Sequence, residues 1–227
     1  MISTWPAPIA DGKTGEELLV SFDSGNQRRV LVIPALFDEA NKMRRFTLQV
    51  MRALARVDID SFLPDLPGQN ESLRDLSKQT LTSWRAAAVA AASHVKATEV
   101  LTIRAGSTIA PADLPGTLYA PIAPHKQLRS MMRARAIAAR EAGVEEHSEQ
   151  LGLSARADGI TLAGWPIGAA MFSELETPGE PQSTAHVVID QKVIGGRGLW
   201  LRAEPDEDAE QAERLAALIA NPEGNSE

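Results

Sequence analysis

Val100-Leu101-Thr102-Ile103-Arg104-Ala105-Gly106-Ser107-Thr108 is the stretch on which the reading of this chain turns. Four mostly apolar, β-branched-rich residues (100–103) predict a buried strand, and Ala105-Gly106-Ser107 then predicts a tight turn of small residues. Arg104 stands where the chain leaves the strand. A guanidinium stays protonated and offers no free lone pair, so it cannot act as a nucleophile at that position.

Working outward, short apolar strands alternate with amphipathic helices. Strands are expected over residues 17–22, 29–34, 59–63, 100–103 and 118–122, with a turn at Asp23-Ser24-Gly25-Asn26. Residues 29–34 are a continuous apolar run of the kind buried on both faces of a sheet. Helical spacing covers 38–57, with Phe46, Val50, Leu54 and Val57 on one side, then the alanine-rich 80–98, capped by Thr80 or Thr82. A further helix is expected over 125–142, with Leu128, Met131, Met132, Arg135 and Ile137 near one face. Residues 143–154 read as a polar loop, 159–163 as a short strand, 167–175 as a helix and 177–184 as a Pro/Gly linker. The last strands are expected at 185–189 and 199–202, and a final helix over 204–220 with Asp206 as its cap; the tail from Asn221 is expected to fray. This order predicts an α/β fold: a mostly parallel sheet with helices on both faces, in one domain over 1–227. Ligands of such sheets lie beyond the C-terminal strand ends, so the loops after Pro34, Leu63, Ile103, Tyr119 and Ile189 matter most.

Composition narrows the function. The 227 residues suit one α/β domain. A net charge of −7 argues against general nucleic-acid binding. The absence of cysteine excludes disulfides, thiolate chemistry and cysteine-type zinc sites. Residues 1–13 lack a signal-peptide pattern, and no apolar run approaches the ~20 residues that span a bilayer, so a cytoplasmic location without cofactor or metal is expected.

The motifs resemble α/β-hydrolases. Aligning Gly106 with the last glycine of Gly-x-Ser-x-Gly puts Arg104 in the nucleophile slot and Thr102 in the first glycine slot. Asp65-Leu66-Pro67-Gly68-Gln69-Asn70-Glu71-Ser72 resembles the Asp-x-x-Gly-x-Gly-x-Ser turn of that fold, with Asn70 replacing a glycine at a left-handed position. The loop 34–45, which in active hydrolases contributes an oxyanion-hole N–H, carries Asp38, Glu39, Asn41, Lys42, Arg44 and Arg45. This Pro…Glu-x-Asn-Lys-x-Arg pattern, with Ile103-Arg104-Ala105-Gly106, resembles the degenerate α/β-hydrolase-like proteins of the bacterial exosortase A and exopolysaccharide system, second type. Leu118-Tyr119-Ala120-Pro121-Ile122, the basic helix after it and Leu162-Ala163-Gly164-Trp165-Pro166-Ile167 extend the likeness over residues 30–175. Thr102 and Ala123-Pro124-His125 depart from the family pattern. The resemblance implies an α/β-hydrolase-like fold with a reduced cap, and a binding or scaffold role in exopolysaccharide or surface-protein export.

A triad in this fold runs nucleophile, acid, then histidine after the last strand. None of His94, His125, His147 and His186 follows residues 199–202. Ser107, with His125 or His186, is the remaining route to an active hydrolase or acyltransferase on a small ester or acyl substrate, set against capping or packing for Ser107 and sheet packing for His186. Asp190 reads as a vestigial acid or a cap. Arg104 has two expected partners: an internal carboxylate (Glu39, Asp38 or Asp65) or an external carboxylate or phosphate at a helix N-terminus. The candidate ligand-binding set is therefore Arg104, Glu39, Asn41, Arg44 and Asp65, for a small anionic ligand or a protein partner. Arg129, Arg133 and Arg140 form a solvated helix face or a docking face for an acidic partner or membrane. Residues 204–213 read as a capped surface helix, since they lack the glycine turn of a calcium loop. The sequence leaves the oligomeric state open.

Overall fold

The computed structural model describes residues 1–9, 13–177 and 185–221, apart from the Ser148 side chain. β1 (Ile2–Pro8), β2 (Thr14–Phe22), β3 (Arg29–Ile33), β4 (Asp60–Pro64), β5 (Glu99–Ile103), β6 (Gly116–Tyr119) and β9 (His186–Ile189) form one sheet in the order β1-β2-β4-β3-β5-β6-β9. β3, β4, β5, β6 and β9 run parallel, and β1 and β2 pair antiparallel at one edge. This is the mostly parallel sheet expected from the alternation of apolar runs and amphipathic helices.

Two apolar clusters cover the sheet, one on each face. α1 (Asp38–Ala55) and α7 (Ala209–Ala220) pack over Val30, Val32, Leu101 and Ile103 through Phe46, Val50, Leu54 and Leu215. On the other face α2 (Leu81–His94) lays Trp84, Ala88 and Ala91 against Leu31, Ile33 and Val100. Alternate residues of β3 and β5 thus enter opposite clusters, as the two-residue period of a strand requires. α2 starts at a capping box in which Thr80 and Ser83 exchange hydrogen bonds, so Thr80 rather than Thr82 is the cap.

Between β6 and β9 lie α3 (Pro124–Glu141), α4 (Ser148–Asp158), the hairpin β7 (Ile160–Leu162)–β8 (Trp165–Ile167) and α5 (Ala169–Glu176). The hairpin turns on Ala163 and Gly164, both at positive φ (49° and 83°), as a two-residue turn of the primed type demands. Leu128, Met131, Phe172 and Leu175 of this segment join the α2-side core.

Several local expectations are corrected. Residues 2–8 form a strand that was not anticipated: Pro6 and Pro8 weaken the strand signal, yet suit an edge strand whose Trp5 and Ala7 are buried. The polar stretch 143–154 contains the start of α4, a thinly buried helix anchored by Ala155. The strand at 159–163 pairs in the separate hairpin, outside the main sheet. Residues 199–202 contain no strand; after short α6 (Gln191–Ile194), Leu199–Leu201 is a single 3₁₀ turn of which Leu199 alone is buried. The cap of α7 is Asp208, which accepts a hydrogen bond from the Gln211 N–H at 3.0 Å, in place of Asp206. Of the expected linker, residues 178–184 lie outside the described residues, as does the tail 222–227.

The strand ends are held close at Gly106. A Cβ placed there would stand 2.3 Å from the Pro34 carbonyl oxygen and 3.0 Å from that of Ile33. Gly106→Ala is therefore expected to lower stability by about 1–3 kcal/mol, the usual cost of overpacking. Urea unfolding of the variant and the parent chain measures it.

Candidate functional site

The strand register brings three loops together at one end of the sheet. Ile33 pairs with Thr102, Ile103 with Tyr119, and Tyr119 with Ile189. In the loops after these strands three non-glycine residues take positive φ: Phe37 (58°), Arg104 (54°) and Ala120 (45°). Such φ values are uncommon outside glycine and cluster where a fold over-determines a functional site. Arg104 then leads into a 3₁₀ turn over Arg104–Ile109, so the strained strand-to-helix elbow is present with an arginine at its tip.

All three nitrogens of the Arg104 guanidinium donate hydrogen bonds. Its Nε donates to Glu39 Oε2 at 2.9 Å and its Nη2 to Glu39 Oε1 at 3.2 Å, a two-pronged match of guanidinium to carboxylate. Nη1 donates to the Ala120 carbonyl at 2.9 Å. The Trp200 ring covers the guanidinium, 4.0 Å from centroid to Cζ, and Trp200 meets Tyr119 edge-on at 6.2 Å. The two ion-paired side chains are only 12% and 10% exposed. Glu39 reaches this position from the first turn of α1, where its charge also faces the positive end of the helix.

Burial sets the electrostatics. Desolvation pushes the Glu39 carboxyl above the usual carboxylate value, and the hydrogen bonds and charge of Arg104 only partly offset it. Burial likewise raises Tyr119, whose hydroxyl donates to Gln191 Oε1. Chemically, this arrangement holds a fixed cation whose best acceptor is already supplied by the chain. An external anion would compete with Glu39 for it.

The remaining candidates divide clearly. Asp65 is buried and turned into its own loop: Asn70 Nδ2 donates to Oδ1 at 2.8 Å, the Glu71 N–H donates to Oδ2 at 3.2 Å, and Arg44 Nη1 lies 3.9 Å away. Asp65 is thus Arg44's partner rather than Arg104's, and burial raises its carboxyl too. Asp38 pairs with Lys42 at 3.7 Å and takes a long contact of 3.5 Å from Gln127 Nε2. Asn41 is exposed on α1 and is not among Arg104's partners. Ser107 is buried, and its hydroxyl donates to the Arg104 carbonyl at 2.9 Å. His186 pairs through Nε2 with the Leu114 carbonyl at 2.9 Å; it opens β9 opposite Gly116, at the far end of the strands from Arg104. His125 lines a cavity between α3, α4 and α5. Neither imidazole is a hydrogen-bond partner of Ser107. Asp190 precedes α6 without a side-chain capping bond and lies 3.5 Å from Lys192. Trp200 and the Ala120 carbonyl were not foreseen. The only signal for Trp200 was an aromatic in the short apolar run 199–202, which reads equally well as a strand.

No protein-family model matches the chain, and no curated protein matches it in sequence. Solved structures are similar to it. The α/β-hydrolase domain-containing protein 10 of mouse is 13% identical, over 77% of this chain and 69% of that one, with a TM-score of 0.49. A thermophilic esterase of Thermogutta terrifontis, with malate bound, is 14% identical over 84% and 79%, with a TM-score of 0.46. A structure from Agrobacterium vitis S4 is 14% identical with a TM-score of 0.45, and there the chain spans only 55% of the other protein's length. The fold is α/β-hydrolase-like, as the sheet order and the strained turn out of β5 indicate.

Arg104→Met leaves the Glu39 carboxylate buried without its cation, which costs about 3–5 kcal/mol for a broken buried pair. The sign with pH follows from the raised carboxyl. Stability from such a group is complete below the ordinary carboxylate value and is lost as pH rises through the folded-state value, and removing Arg104 raises that value further. Urea unfolding is therefore expected to show a larger deficit at pH 8 than at pH 5. The double variant Arg104→Met/Glu39→Met is expected to lose this pH dependence and to recover most of the stability.

Proposed function

We propose that this chain is a non-catalytic binding or scaffold protein that keeps an α/β-hydrolase-like architecture without a serine-hydrolase site. The carrying observation is the elbow residue: Arg104 cannot attack a carbonyl, and its charge is spent on Glu39 with Trp200 over it. The Ser107 hydroxyl, three residues past the elbow, is turned toward the Arg104 carbonyl, and a base in reach of it is what acyl transfer would need. In this reading the elbow pair fixes the loops after β3, β5 and β6, and recognition of a protein or small anionic partner falls to the surface around them. A place in bacterial exopolysaccharide or surface-protein export is supported by the Pro…Glu-x-Asn-Lys-x-Arg and Ile-Arg-Ala-Gly resemblance.

The chain is expected to hydrolyse p-nitrophenyl butyrate no faster than buffer, and Arg104→Ser is expected to gain nothing, since it restores a hydroxyl without a base. Stoichiometric labelling of Ser107 by a fluorophosphonate probe would overturn the proposal. It would establish the alternative, an active serine hydrolase or acyltransferase.

A further inference from the structure

A cavity of 480 Å³ lies between α3, α4 and α5, away from the Arg104 pair. Its size falls within the roughly 300–1,000 Å³ of small-molecule sites. Leu128, Met132, Leu153 and Phe172 supply its apolar wall. Leu153 is 63% exposed, a large apolar side chain presented to solvent beside a hollow.

Formally the charges around the hollow balance, Arg129 and Arg156 against Glu149 and Glu176, but they are unequally committed. Arg156 is closed onto Glu176 through two hydrogen bonds of 2.7 Å. Glu149 sits in the first turn of α4, where the helix's own positive end balances a carboxylate. Arg129 is exposed and has neither an ion pair nor a hydrogen bond among the described residues. His125, at the start of the 18-residue α3, holds its Nδ1 buried without a partner among the described residues, and Ala123 gives that helix no side-chain cap. Arg129 is thus the one cation of the lining that no carboxylate among the described residues holds.

Gly152 points to the same hollow for an independent reason. It lies inside α4, where glycine costs a helix stability relative to alanine. A Cβ at Gly152 would meet nothing nearer than the Arg156 guanidinium at 3.7 Å. No neighbour among the described residues requires glycine there, and what the missing side chain leaves is room in the cavity.

We propose that this cavity binds an amphipathic monoanion, an aliphatic carboxylate with its head at Arg129 and its chain along Leu128, Met132, Leu153 and Phe172. The site is separate from the elbow, so its failure would leave the reading of Arg104 standing. Isothermal titration of the full chain with decanoate below its micellar concentration, and with acetate, provides the test. Decanoate is expected to bind saturably at one site and acetate to bind at least a hundredfold more weakly, because buried methylenes carry the affinity. Arg129→Gln is expected to weaken decanoate about tenfold through the lost charge-assisted contact. Gly152→Phe is expected to abolish binding with the melting temperature kept, and Gly152→Ala to raise that temperature. Absence of saturable decanoate binding, or binding that Arg129→Gln and Gly152→Phe both leave unchanged, would overturn the proposal.

Discussion

A buried guanidinium must be paired, and that requirement organises the strand ends of this protein. Arg104 leaves β5 at a left-handed backbone position, which aims its side chain across the loops that follow β3 and β6. Glu39 from α1 and the carbonyl of Ala120 accept its hydrogen bonds, while Trp200 closes over it. Segments distant in sequence are thereby tied at one point. Pairs of this sort add little net stability, because desolvation of both ions offsets most of their attraction. Their effect is on geometry: one arrangement of three loops satisfies the cation and others leave it bare.

The same pair decides what chemistry the loops can perform. In an acyl-transfer site the elbow carries a nucleophile, a neighbouring base takes its proton, and free N–H groups wait for a developing oxyanion. Here the elbow carries a permanent cation, and the first turn of the helix after β3 carries carboxylates at Asp38 and Glu39. A negative first turn is the wrong sign for stabilising an oxyanion. The two residues of the pair thus agree with each other, since a carboxylate at Glu39 opposes a developing oxyanion and is what Arg104 requires.

Much of the architecture was legible because it rests on period and burial. Residues 30–33 are a continuous apolar run and 100–103 nearly one, α1 carries clean helical spacing and α2 is alanine-rich, so the centre of the sheet and these covering helices could be read directly. What escaped lacked that signal. β1 is an edge strand interrupted by Pro6 and Pro8, and α4 buries little beyond Ala155, so neither shows the pattern of a core element. Residues 199–201 are apolar for a tertiary reason, with Leu199 in the core and Trp200 over Arg104, and a three-residue run cannot announce which. At the site, Glu39 and Arg104 could be paired on paper because loops after adjacent strands meet. Asp65 was an equal candidate until its own loop was seen to hold both its oxygens. Trp200 comes from a distant segment, and nothing local in its sequence points to a cation.

The most direct measurement is the NMR signal of the Arg104 Nε–H, followed while phosphate or acetate is added to the folded chain. An internally satisfied guanidinium predicts a slowly exchanging proton whose position both anions leave unchanged. A rapidly exchanging signal, or one that moves saturably with added anion, would mean that Glu39 is not its settled partner and would contradict the account.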